Sequence, residues 1–139
     1  MTGRDIKTCA MAHVFEKTEQ DALVNHLTVP LINLGLAELT EAENKFRKNA
    51  AVMGNTEYTP LTEPIFINSI EDPVNYCYQI TTILLPLWLA WKVFEGMDDT
   101  SRGAYYRSLY DERYASIVPV TAEWVQMEDN AMGEVDNET

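Results

Sequence analysis

The sequence predicts an all-α fold: a small bundle of about four helices with a long middle loop, which has room for one short strand or hairpin, and an extended C-terminal tail. Three observations predict it. Ile83-Leu84-Leu85-Pro86-Leu87-Trp88-Leu89-Ala90-Trp91 is apolar all round rather than along one stripe, the pattern of a helix covered on several sides. Elsewhere apolar residues recur at spacings of three and four, as on one face of a helix. Capping and stop residues bracket these runs. The chain has 139 residues, 46% of them hydrophobic, which suffices for one core. The reading is one helical domain over 1–118 and a tail over 119–139.

The elements follow in order. Thr2 and Asp5 have the spacing of a capping box, and Ile6, Cys9, Ala10, His13 and Val14 then share a face. A short first helix to about Glu16 is expected. Thr18 is a second cap, followed at helical spacing by Leu23, Val24, Leu27, Leu31, Leu34 and Leu39, with a kink expected at Pro30 because proline removes a backbone hydrogen bond and crowds the preceding turn. Glu41 to Arg47 surrounds the single Phe46 with polar residues and reads as a solvated continuation or a separate exposed turn. From Met53 to Glu71 the turn pairs Gly54-Asn55, Thr59-Pro60 and Glu63-Pro64 break the pattern, and Ile65-Phe66-Ile67 is the one extended apolar run. Such a loop is either functional or strapped across the core by Ile65, Ile67 and Ile70.

Asp72 reads as an N-cap with Pro73 at the first helical position. The apolar hub follows, Gly96 offers a left-handed stop, and Asp98-Asp99-Thr100-Ser101 supplies a turn with a fresh cap. A last helix runs through Ala104-Tyr105-Tyr106 to Ile117, and Pro119 ends it. Beyond it, Thr121 to Met127 alternates polar with apolar before an acidic end, Glu128 to Thr139, expected to be disordered in isolation. Trp124, Val125 and Met127 are too large and apolar to stay uncovered without a partner.

Composition narrows the function. A formal charge of −12 repels phosphate and anionic membranes, which argues against sequence-reading nucleic-acid binding. Cys9 and Cys77 form no C-x-x-C pair and no signal segment precedes the first helix, so an intracellular, reduced protein is expected. The apolar run is nine residues long, short of the ~18 needed to cross a bilayer. Cys9 and His13 lie one turn apart, but two ligands do not make a metal site, and a helix face accounts for them. No glycine-rich phosphate loop, G-x-S-x-G elbow or H-E-x-x-H is present, so no cofactor, metal or catalytic residue is assigned.

The tyrosines are the informative cluster. Tyr106, Leu109, Tyr110, Arg113 and Ile117 share one face of the last helix, with Tyr105 and Tyr114 at its edges. Tyrosine and arginine suit interface cores, since they bury area and keep a polar handle. The other reading is a tyrosine-rich helix resting on Trp88 and Trp91 within one subunit, and a helix with two sides can do both.

Leu31-Ile32-Asn33-Leu34-Gly35-Leu36-Ala37-Glu38-Leu39, then Glu43-Asn44-Lys45-Phe46-Arg47, Ile67-Asn68-Ser69-Ile70-Glu71-Asp72, Leu85 to Trp91, and Ala104 to Tyr114 after an acidic turn, resemble in order the small head–tail adaptor (connector) proteins of tailed bacteriophages. The resemblance spans about Leu31 to Val118. It implies a virion structural protein without an enzymatic step or cofactor, made in the host cytoplasm and located at the neck. It implies a homo-oligomeric ring, twelve-membered in the family, between the portal protein and the tail or neck proteins, through which DNA passes without sequence-specific binding. On this reading Tyr105, Tyr106, Tyr110, Arg113 and Phe66 meet the neighbouring subunit, and Trp124, Val125 and Met127 dock on the portal. The alternatives are an acidic phage-encoded regulator or inhibitor of a basic host protein, and an enzyme with an unrecognised site in the bundle.

Overall fold

The computed structural model describes residues 1–14 and 18–119, giving the backbone only for 13–26 within that range. Among the described residues four α-helices stand in chain order: α1 (Gly3–Val14), α2 (Thr18–Met53), α3 (Leu85–Gly96) and α4 (Thr100–Ile117). The expected helical bundle is the fold, and among the described residues there is no strand; the one β-type contact is an isolated bridge between Thr2 and Pro73. The predicted tail, with Trp124, Val125 and Met127, lies outside the described residues.

The capping box forms as expected: Asp5 accepts the Thr2 N–H at 2.9 Å, and Thr2 Oγ1 accepts the Asp5 N–H at 3.3 Å. That backbone hydrogen bond holds the Asp5 carboxyl below the usual carboxylate range. α2 runs through Pro30 without ending there, for 36 residues. The Glu41–Arg47 stretch is not a solvated appendage: Ala42 and Glu43 are buried, because α2 still lies against the core here. α2 ends on Asn55 in the left-handed region (φ 51°), with Asn55 N–H bonded to Val52 O and Thr56 N–H to Ala51 O, which satisfies two carbonyls of the last turn.

The third helix does not start at Asp72. The Asp72 carboxylate turns back to accept the N–H groups of Asn68 and Ser69, both at 2.9 Å, and Pro73 lies beside Thr2 while Val74 N–H bonds Met1 O. An aspartate followed by proline closes a turn as readily as it opens a helix. Helical backbone begins six residues later at Tyr78 and passes through one π turn, Ile80–Leu84, directly into α3. Pro86 explains the π turn. Its nitrogen has no hydrogen to offer the carbonyl four residues back, and the chain enters the proline through a wider turn closed by Leu85 N–H to Ile80 O.

The left-handed residue between α3 and α4 is Asp98 (φ 59°), not Gly96, which is the last residue of α3; aspartate tolerates that conformation better than most residues. Asp99 caps α4 by accepting the Arg102 N–H at 3.2 Å. Val118 is extended, as the residue before a proline should be, and α4 stops at Ile117.

α3 is the hub. Leu85, Pro86, Leu87, Trp88, Leu89 and Ala90 are buried in succession, which requires neighbours on every side, and α1, α2 and α4 all pack on it. α2 approaches closely at Gly35, where an added Cβ would stand 2.7 Å from Leu85 Cδ1 and 3.0 Å from Trp88 Cε3.

Candidate functional site

The middle loop is held along α2 by side chains. Asn33 donates to Ile67 O and accepts the Ile67 N–H, both at 2.9 Å, and Asn44 makes the same paired contact with Leu61 at 3.0 and 2.7 Å. Between them the Tyr76 hydroxyl donates to Leu36 O, shares a hydrogen bond with Thr40 and accepts the Ile65 N–H. Asn33 and Asn44 are eleven residues apart, about three helical turns and ~16 Å on one face. Leu61 and Ile67 are six apart, ~20 Å of extended chain. The two lengths nearly match, so an extended strap runs antiparallel to the helix with its backbone satisfied by amides in place of a partner strand. Ile67 is buried, Ile65 and Ile70 are half-buried, and Phe66, facing the other way, is 55% exposed.

The strap ends at a buried carboxylate. Glu43 is 2% exposed and both its oxygens accept the Cys77 N–H at 3.0 Å, one residue before helical backbone begins; Arg47 approaches it at 3.4 Å. A negative charge there meets the positive end of the helix dipole and serves as the cap that Asp72 was expected to supply. Burial, with Glu43 adding to it, pushes the Cys77 thiol up to about 11.

Around α3 the aromatic residues form a ladder. Ring centroids stand 6.5 Å apart for Trp88 and Trp91, 5.9 Å for Trp91 and Tyr110, and 6.1 Å for Tyr110 and Tyr114, with Phe94 stacked on Tyr106 at 5.4 Å. Lys92 and Arg107 both lie over Trp91, at 4.0 and 5.5 Å. Trp88 Nε1 donates to Glu38 at 2.6 Å, tying α2 to α3. Tyr110 is 5% exposed, and burial, reinforced by Glu38, raises its phenol well above the usual range; burial also raises Tyr106 and Tyr114.

The structure thus separates the residues that the sequence grouped. Tyr110 and most of Tyr106 serve the α3–α4 contact within the subunit. Tyr105 is 59% exposed and touches Tyr106 edge-on at 5.2 Å, and Arg113 is exposed, making no ion pair among the described residues. Leu34, 61% exposed on α2, was not singled out for a surface role; it follows Asn33 as Phe66 precedes Ile67. Its position in an apolar stripe hid it, because periodicity cannot say which part of a long helix lacks a neighbour.

Among the described residues no group of three or more histidines, cysteines or acidic side chains could hold a metal ion, and no helix is long and apolar enough to cross a membrane. The His13 side chain, weighed as a ligand with Cys9, lies outside the described residues. No family model, curated protein or solved structure matches the chain.

Proposed function

We propose that the chain is the structural subunit of a head–tail adaptor ring, seated between a portal and a tail and leaving DNA free to pass. The observation that carries this reading is the presence of exposed apolar side chains on two separate elements: Tyr105 on α4, and Leu34 with Phe66 on α2 and its strap. A closed ring needs two different, complementary faces on each subunit, whereas a dimer needs one self-complementary face. The order of sequence pieces shared with adaptor proteins supports the same reading. So does the charge: −12 per subunit, multiplied around a ring, lines a passage that does not grip phosphate.

The test is assembly. Purified chain, alone and mixed with the portal protein of the phage or prophage that encodes it, is sized by analytical ultracentrifugation and imaged by electron microscopy. Rings, or stoichiometric capture on the portal, are expected. Strictly monomeric behaviour together with no portal binding and absence from virions overturns the proposal.

A further inference from the structure

The groove between the π turn and α4 is lined by Thr82, Ile83, Leu87, Leu109 and Arg113 and has a volume of about 390 Å³. Its walls are three aliphatic side chains, of which Ile83 and Leu109 are only half-buried, and its rim carries Arg113, which makes no ion pair among the described residues. The π turn contributes Thr82 and Ile83. Both belong to the wider turn through which the chain enters Pro86.

We propose that this groove is the docking site of the chain's own C-terminal segment, with Trp124 seated on Ile83, Leu87 and Leu109 and the neighbouring carboxylates facing Arg113. Three observations select this occupant. The first is position: α4 ends at Ile117 and the described chain at Pro119, one helical turn and two extended residues beyond Arg113, roughly 12 Å away. Trp124 is five residues past Pro119 and reaches ~17 Å when extended, enough to turn back to the groove. The second is charge. Residues 120–139 hold Glu123, Glu128, Asp129, Glu134, Asp136 and Glu138 and no lysine or arginine, so the segment is repelled by most of an acidic surface and drawn to Arg113, which has no acidic partner among the described residues. The third is chemistry: Trp124 is the one tryptophan of the chain outside the hub, and Val125 and Met127 follow it. Attachment through so short a connection gives an effective concentration on the order of millimolar, which favours the chain's own groove over that of a second copy. The inference does not depend on the adaptor reading. If both hold, the segment leaves this groove before it can reach a portal.

The experiment uses the full chain with labelled isoleucine, leucine and valine methyl groups. Trp124→Ala, a change outside the bundle, removes the ring-current shifts from the Ile83, Leu87 and Leu109 methyl groups and leaves those of Leu36 and Leu39 in place. Arg113→Glu weakens the same shifts while Trp124 is intact. Methyl resonances of Ile83, Leu87 and Leu109 that stay put in Trp124→Ala overturn the proposal. So do contacts between Trp124 and these methyl groups that arise only between differently labelled copies in a mixed sample, since the occupant is then a second subunit.

Discussion

α3 and α4 are consecutive helices of one hairpin, yet they stand at opposite ends of the range of burial. Of the twelve residues of α3 eight are buried, including six in a row, whereas of the eighteen in α4 only Gly103 and Tyr110 are. α3 is enclosed by α1, α2 and α4, while α4 rests on α3 and the π turn. A helix at the centre of a bundle spends its side chains on its own fold; one at the edge keeps half its circumference for solvent or for another molecule. The same aromatic residue type therefore carries different consequences on the two helices.

Truncation at the centre of the hub should break the molecule. Trp88→Ala removes a buried indole and leaves the Glu38 carboxylate without its donor, with an expected cost of about 3–5 kcal/mol. Chemical denaturation measures it, and a cost below that of a surface substitution would mean that α3 is not the hub.

A smaller, local loss is expected where the strap is tied. Asn33→Ala leaves the Ile67 N–H and carbonyl unpaired, for about 1–3 kcal/mol. Proteolysis should then begin between residues 54 and 77 before the helices open. Simultaneous loss of strap and bundle would show instead that the two fold as one unit.

The buried phenol sharpens the contrast in another way. Tyr110 has its pKa raised by folding, so folded and unfolded chains are equally protonated below the ordinary tyrosine value near 10. Above it the unfolded state loses its proton first, and stability falls as pH rises through and beyond that value. Tyr110→Phe should flatten the fall between pH 10 and 12 in thermal unfolding. An unchanged slope would place the titration elsewhere, with Tyr106 and Tyr114 the next to examine.

The least effect on stability, and the most telling for function, is expected on the outer side of α4. Tyr105→Ser should change folding stability by no more than ~0.5 kcal/mol, as surface substitutions do. It should weaken self-assembly measured by sedimentation. A Tyr105→Ser chain that forms rings as well as the parent would remove α4 from the subunit contact and leave Leu34 and Phe66 as its apolar residues.

Much was written locally. The all-round apolar run at Ile83–Trp91 announced a helix with neighbours on all sides, the capping box at Thr2 and Asp5 formed, and Pro119 stopped α4 where expected, since each depends on residues within a few positions of one another. The strap reading of the middle loop, with Ile65, Ile67 and Ile70 toward the core, was also legible, although only Ile67 is fully buried and the other two are half-buried. What the sequence could not determine depended on contacts across the chain. The cap of the third helix is Glu43, thirty-four residues away, and no local pattern announces a carboxylate that caps another element's helix. The same distance separates Asn33 from Ile67, so no local pattern marks Asn33 as a tie of the loop, and Asn44, the other tie, sat in a stretch that read as solvated. Which tyrosine is buried and which exposed was likewise decided in three dimensions. Periodicity places residues on a face, but only the arrival of α3 against one side of α4 covers Tyr110 and leaves Tyr105 to solvent.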